Sequence, residues 1–242
     1  MIFTPFSYEQ QKIVTSGLVL NLDAGNVSSY PGTGTTWSDL TVNNNNTTLL
    51  NSPTFSSNNS GYFTFNGTNQ SANSVSTINL SSTNAISISL WFKVSGTSLY
   101  IFNEFSSNFN NNANSFFFDI NEVATGKISF ADIGVSSLYN QVQTVNTYND
   151  NKWHNLCVVS NRALNASNHN FIYVDGVLDT VQGSLNNANN SNYGNYTMYF
   201  FSRANTTYFT NGNLSSYLLY NRALTAQEVS QNFNVLRGRY GI

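Results

Sequence analysis

The chain has 242 residues, enough to bury a sizeable core as one large domain or two small ones. Hydrophobic residues make up 40% and aromatics 14%, which excludes a disordered chain, whereas charged residues are only 8% against roughly 25% in ordinary globular proteins. A formal net charge of -2 with no run of Lys or Arg leaves no electrostatic footprint for nucleic acid or an anionic membrane, and the amides and hydroxyls that supply polarity instead suit neutral, hydroxyl-rich ligands.

Residues 1–15 read as an N-terminal arm, aperiodic and carrying Pro5 and scattered aromatics. They lack the basic region followed by an apolar region that marks a secretory signal, which points to a cytoplasmic protein or one that reaches the outside without secretion. No apolar stretch approaches the ~18 residues of a membrane span. A single domain is expected over 16–242. Its first clear pattern is "SGLVLNLDAGN", where Leu18, Leu20 and Leu22 alternate with Val19, Asn21 and Asp23 before an Ala-Gly-Asn turn. Asp23 begins that turn and Asp39 lies in the loop after Trp37, positions where a carboxylate bonds backbone amides.

Further along, "AISISLWFKV" places Ile86, Ile88, Leu90, Phe92 and Val94 on one face and Ser87, Ser89, Trp91 and Lys93 on the other. "SLYIFNEF" follows after a short Ser-Gly-Thr link and is expected as its hairpin partner. "SFFFDINEV", "GKISFADIG", "KWHNLCVVS", "NFIYVDGVLDTV", "YTMYFFSR" and "GNLSSYLLYNRAL" are further strand candidates. Asp175-Gly176 is a two-residue hairpin signal. Cys157, the only cysteine, excludes a disulfide framework or zinc cluster and reads as a buried small hydrophobe. His154 follows Trp153 within a strand and reads as a packing or interface residue, and His169 lies in a loop. Four tyrosines fall in Asn/Ser-rich loops: Tyr139 and Tyr148 in "SSLYNQVQTVNTYND", Tyr193 and Tyr196 in "NNSNYGNYT". Exposed, they would be platforms for sugar C–H faces; partial packing is the alternative for each. One helix is predicted, "TAQEVSQNFNVLRG": Thr225 and Glu228 have capping-box spacing, Val229, Phe233 and Leu236 form one apolar stripe, and Gly238 is the expected stop. It is too short to build the core and should dock on a sheet.

Many short strands with turn signals between them predict an all-β antiparallel sandwich, at this length a jelly roll of roughly a dozen strands. Its first and last strands are expected to pair, closing the domain and protecting an otherwise open edge. On these motifs the chain resembles the concanavalin A-like lectin/glucanase superfamily, specifically its laminin-G-like domains. The residues that carry the resemblance are "GLVLNLDAGN" with "WSDL", "FTFNGTNQ", "ISISLWFKV", "KWHNLCVVSN" with "FIYVDGVL", and "GNLSSYLLYNRALTAQEVSQNF". The "LDAGN" opening and the ending "NFNVLRGRYGI" further resemble versions of the domain in phage and other viral structural proteins. What the resemblance implies is a non-catalytic module on a virion surface, with host glycans and other virion proteins as partners and a homo-oligomer allowed. A capsid or fibre subunit that binds no sugar is the alternative.

Glucanases of the superfamily place two Glu on one strand in a Glu-x-Asp-x-x-Glu pattern. The nearest match here is "FFDINE", in which Asp119 and Glu122 fit the last two positions while Phe117 takes the nucleophile's place. A divergent glycoside hydrolase would lack its nucleophile, so Asp119 and Glu122 are expected as loop-edge or surface carboxylates and no catalytic residue is assigned. Calcium is the ion the resemblance implies, but the corresponding "FNGTNQ" segment carries Asn66 and Asn69 where Asp is common, which removes charge a tight site requires. Asp23 and Asp39, and beyond them Asp119, Asp132 and Asp175, remain as the ligands it would use, with turn-anchoring the alternative for Asp23, Asp39 and Asp175.

Overall fold

The computed structural model describes residues 12–106, 113–135, 138–164 and 168–242, and the backbone alone for 182–186. Among these, nineteen strand segments form an eight-stranded sheet, a nine-stranded sheet and a two-stranded pair. The concanavalin A-like antiparallel sandwich expected from the alternation is the fold observed.

The eight-stranded sheet is organised around Ala85–Val94, flanked by His154–Asn161 on one side and Asn211–Tyr220 on the other. Beyond His154–Asn161 come Asn170–Val174 and Val177–Leu178. The ten-residue strand Asn211–Tyr220 is shared on its far side. Its first half pairs with Tyr62–Asn66 and its second half with Leu18–Asp23. First and last strands thus pair as expected. The consequence differs: the last strand lies inside the sheet, and the first forms part of an edge. The nine-stranded sheet runs from Val181–Asn186 through Tyr139–Gln143, Ile128–Ile133, Ser115–Ile120 and Tyr100–Phe105 to Met198–Phe200, Ser71–Ser74, Thr47–Leu50 and Thr36–Trp37.

Between the layers sits an aromatic core. Ile86, Ile88, Leu90, Phe92 and Val94, the face read from alternation, are all buried against Phe102, Phe105, Phe116, Phe118 and Phe130 of the other sheet. The rings meet in tilted and offset pairs, such as Phe92–Phe102 at 4.7 Å and Phe105–Phe116 at 4.9 Å. This geometry corrects the expected hairpin. Tyr100–Phe105 pairs with Ser115–Ile120 and Met198–Phe200, so the Ser-Gly-Thr link crosses from one layer to the other. Both strands already have two partners, and crossing sets Phe92 face to face with Phe102 across the core. The Asp175-Gly176 turn does form a hairpin: both residues have positive φ (51° and 78°) and Val174 pairs with Val177.

The outer face of the eight-stranded sheet is also covered, here by the C-terminal segment. Thr225 and Glu228 close the capping box of helix Ala226–Leu236. Val229 and Leu236 are buried and Phe233 half-buried, as the stripe predicted. Gly238 is not the stop. The chain tightens into a 3₁₀ turn over Arg237–Arg239, and positive φ falls at Gly241. Ser87, read as outward and polar, is buried because its hydroxyl bonds the segment that leads into the helix, donating to the Arg222 carbonyl and accepting from Leu224 N–H. Cys157 is buried in the same layer with Val159, Leu218, Tyr220 and Val229.

The arm boundary also shifts. Val14 is buried in that cluster, its N–H donates to Asn232 and its carbonyl accepts from Tyr220 Oη, so Lys12–Thr15 belong to the domain. The rest of the expected arm, 1–11, lies outside the described residues. Among the described residues no helix is long and apolar enough to cross a membrane.

Candidate functional site

Four chain segments far apart in sequence meet at one end of the eight-stranded sheet. Alternation turns Lys93 outward, on the same face as Trp91. The register His154↔Phe92 then brings Trp153 beside it, with Lys93 Nζ 5.8 Å from the Trp153 ring. The Asp175-Gly176 turn closes one side. The helix closes another with Phe233, and the 3₁₀ turn beyond it adds Arg237, followed by Tyr240. Trp91 lies behind this lining, stacked on Tyr240 at 4.0 Å and on Phe233 at 5.8 Å. The hollow so enclosed measures about 590 Å³ and is also lined by Asn59, Asn151 and Lys152. That volume is in the range of pockets that hold small ligands.

His154 sits in its wall, with Nδ1 2.8 Å from Asp175 and Nε2 3.1 Å from Asp150. Burial lowers its pKa, but the carboxylates of Asp175 and Asp150 outweigh burial and leave it raised, so it holds a proton further toward neutrality than a free histidine. Asp175 is itself engaged, accepting from Asn155 N–H at 2.8 Å. The packing role expected for His154 is therefore joined by an electrostatic one.

The four tyrosines are not gathered into a platform. Tyr139 opens the strand Tyr139–Gln143, half-buried against Ile101, Phe117, Ala131 and Ile133. Tyr148 is half-buried, donates its hydroxyl to Asp179 and meets the His154 ring edge-on at 5.1 Å. Burial and the Asp179 carboxylate push its phenol pKa up. Tyr193 is only 1% exposed. Its ring lies 3.8 Å from the Arg162 guanidinium and its hydroxyl donates to Ser160. Tyr196 lies in the strand Asn195–Tyr196, packs its ring on Phe105 and donates to the Ala113 carbonyl. The loop reading is corrected for Tyr139 and Tyr196, and exposure is corrected for Tyr193. An aromatic ring gains more by entering the sandwich than a short Asn/Ser run gains by staying out.

Asp23 and Asp39 have structural partners. Asp23 accepts from Gly25 N–H and from Arg239 Nη1 at 2.8 Å. Asp39 accepts from the N–H groups of Asn21, Thr41 and Asn45 and from the Thr41 hydroxyl, tying the loop after Trp37 to the first strand. In "FNGTNQ", Asn66 Oδ1 accepts from Thr68 and Asn69 N–H. These donor sets do not fit calcium, since their oxygens are taken by protein donors. Among the described residues no three His, Cys, Asp or Glu side chains cluster as metal ligands.

The glucanase-like segment differs from expectation at Asp119. It is fully buried in the strand Ser115–Ile120, not at a loop edge, while Glu122 is exposed in the turn beyond. Asp119 accepts from the Ser129 hydroxyl at 2.8 Å, and burial together with the Glu122 carboxylate raises its pKa well above the usual range. Phe117, at the nucleophile's position, is buried beside Ile101 and Ala131. Opposite it in register lies Glu104, whose carboxylate is 3.5 Å from Arg203. Because Asp119 binds its proton more tightly folded than unfolded, stability falls as pH rises from the ordinary Asp pKa of about 3.9 toward the folded value. Asp119→Asn removes that loss and keeps acceptance from Ser129. Its melting temperature should match or exceed wild type at pH 7, with the gap closing toward about pH 4. A variant clearly less stable at pH 7 would contradict the upward shift of the Asp119 pKa.

Two stacked antiparallel sheets with a helix on the outer face of one are the architecture of lectin-like jelly rolls. The chain belongs to the laminin-G-like branch of that group: residues 66–230 match the family model described as the concanavalin A-like lectin/glucanases superfamily. No curated protein sequence matches the chain. Among solved structures it is similar to the botulinum neurotoxin serotype G binding domain (TM-score 0.66, 16% identity, 90% of this chain and 51% of that one). It is also similar to the binding domain of Paraclostridial Mosquitocidal Protein 1 (TM-score 0.65, 18% identity, 90% and 52%). A third is the binding domain of botulinum neurotoxin DC in complex with SialylT (TM-score 0.64, 16% identity, 91% and 52%). The chain spans about half the length of these domains, and identities this low show the common fold.

Proposed function

We propose that the chain is a non-catalytic recognition module that holds part of a host-surface glycan, and that it is carried on a virion. The observation that carries the binding role is the hollow at Trp153. It combines aromatic walls with the Asn59 and Asn151 amides, the pairing of apolar surface and hydrogen-bonding groups that sugar rings require. Membership of a lectin superfamily supports it, as do the glycan complex of the neurotoxin DC domain and the complex of that toxin's binding domain with rat synaptotagmin II. Phe117 in the nucleophile's place supports binding over hydrolysis. The virion setting rests on the resemblance of "LDAGN" and "NFNVLRGRYGI" to viral structural proteins.

A glycan array probed with the intact chain tests the first part. Retention of a defined glycan set, with no cleavage of those glycans, is expected, and an empty array refutes it. Antibody labelling of purified particles tests the second, which fails if the protein is found only free in cell extract.

A further inference from the structure

Only nine Lys and Arg occur in the whole chain, yet three of them, Lys93, Lys152 and Arg237, line the Trp153 hollow. Each arginine elsewhere has a carboxylate: Arg162 has Asp132, Arg203 has Glu104, Arg222 has Glu228 and Arg239 has Asp23. In the hollow only Lys152 is paired, with Asp150 at 3.1 Å. Lys93 and Arg237 form no ion pair with a described residue. Each instead lies 5.8 Å from an aromatic ring, Trp153 and Phe233 respectively. Asp175, the acid in the lining, is held by His154 and by Asn155 N–H. Positive charges facing one concavity without counter-ions repel one another, and an anion entering relieves that repulsion.

We propose that this hollow binds a carboxylate-bearing sugar unit, with the carboxylate between Lys93 and Arg237, the apolar ring face against Trp153 and Phe233, and hydroxyls bonded to the neighbouring amides. The inference rests on the reading above that the hollow is a binding site, and adds the chemical class of what it takes. A neutral sugar would leave both cations uncompensated. A bare inorganic anion would leave the aromatic walls and amides unused. Guanidinium and ammonium hydrogen bonds to carboxylate are among the strong ones, so the acid should dominate affinity.

The test titrates the intact chain with methyl glucuronide and with the methyl glycoside of N-acetylneuraminic acid, each against its own methyl ester, by NMR and tryptophan fluorescence. At least one acid should bind, with its ester about tenfold weaker or worse. The acid that binds distinguishes a uronate within a polysaccharide from a terminal nine-carbon acid. A Lys93→Gln/Arg237→Gln double variant should lose at least about tenfold in affinity with its melting temperature unchanged. Equal binding of acid and ester, no binding of either acid at millimolar concentration, or a double variant that binds like wild type would each overturn the proposal. Neutral glycans retained equally by wild type and double variant would leave the recognition module standing and remove only the acidic-sugar site. No retention of any glycan removes both.

Discussion

Replacing Asp132 with alanine should destabilise the fold by about 3–5 kcal/mol, the cost of stranding a buried partner charge. Asp132 is wholly buried at one end of the strand Ile128–Ile133. Its Oδ2 accepts from Arg162 Nε at 2.6 Å and lies 3.3 Å from His169 Nε2, and its Oδ1 accepts from Asn170 Nδ2 at 3.1 Å. Asn170 comes from the opposite sheet and Arg162 from the 3₁₀ turn that follows its strand His154–Asn161, so one carboxylate ties the two layers. Removing it leaves the guanidinium buried with, among the described residues, the carbonyls of Ile133 and Ser191 and the Tyr193 ring. Burial alone would raise the Asp132 pKa, but Arg162 and His169 outweigh it and hold it below the usual value. The stabilisation is therefore present above the ordinary Asp pKa of about 3.9 and is lost as pH falls through the lower folded value. Urea unfolding of Asp132→Ala at pH 7 measures the effect, and a loss below about 1 kcal/mol would show that the bridge adds little. Asp132→Leu combined with Arg162→Met should cost less than either single change, because no charge remains unpaired.

The architecture was legible because strand alternation is a local signal. "AISISLWFKV" names its own inward face, and Thr225 with Glu228 names its own cap. Pairing partners were less legible. "SLYIFNEF" lies next to "AISISLWFKV" in sequence but in the other layer in space, since adjacency along the chain cannot distinguish a hairpin from a crossing between sheets. The short strand Tyr139–Gln143, which lacks an apolar pattern, read as a loop because polar residues bonded within the sandwich satisfy a strand as well as apolar ones do. The site was the least legible. The tyrosines in polar runs drew attention, yet Tyr193 is buried. The hollow is assembled from Lys93, Trp153, Asp175 and Arg237, with no run of basic residues to announce it. One signal was available. Lys93 is the only charge on the outward face of a strand otherwise carrying Ser87, Ser89 and Trp91, and a lone cation beside a tryptophan there is out of pattern.

Trp91→Ala should cost about 3–5 kcal/mol and remove the support behind Tyr240 and Phe233, two residues that line the hollow. The indole is 1% exposed and lies in plane-to-plane contact with Tyr240 and Phe233, both at 15°. Through Tyr240 it is coupled to Trp153, 4.9 Å away, and to Ser215, whose hydroxyl accepts from the Tyr240 phenol at 2.7 Å. Truncation leaves a void between sheet and helix that the stiff strand cannot collapse to fill. Trp91→Phe should cost less than the alanine change. It keeps a ring in the stack, and it removes an indole N–H that is buried without a partner among the described residues. The loss should be local as well as global: amide exchange of 226–236 should speed up more than that of the sheet interior, because the helix depends on this contact whereas Leu90 and Phe92 are held from the other side. Helix amides as protected in Trp91→Ala as in wild type, with an unchanged unfolding midpoint, would mean that the stack contributes nothing to docking. Ligand affinity should fall with helix protection, since Phe233 and Arg237 reach the hollow only when the helix is seated.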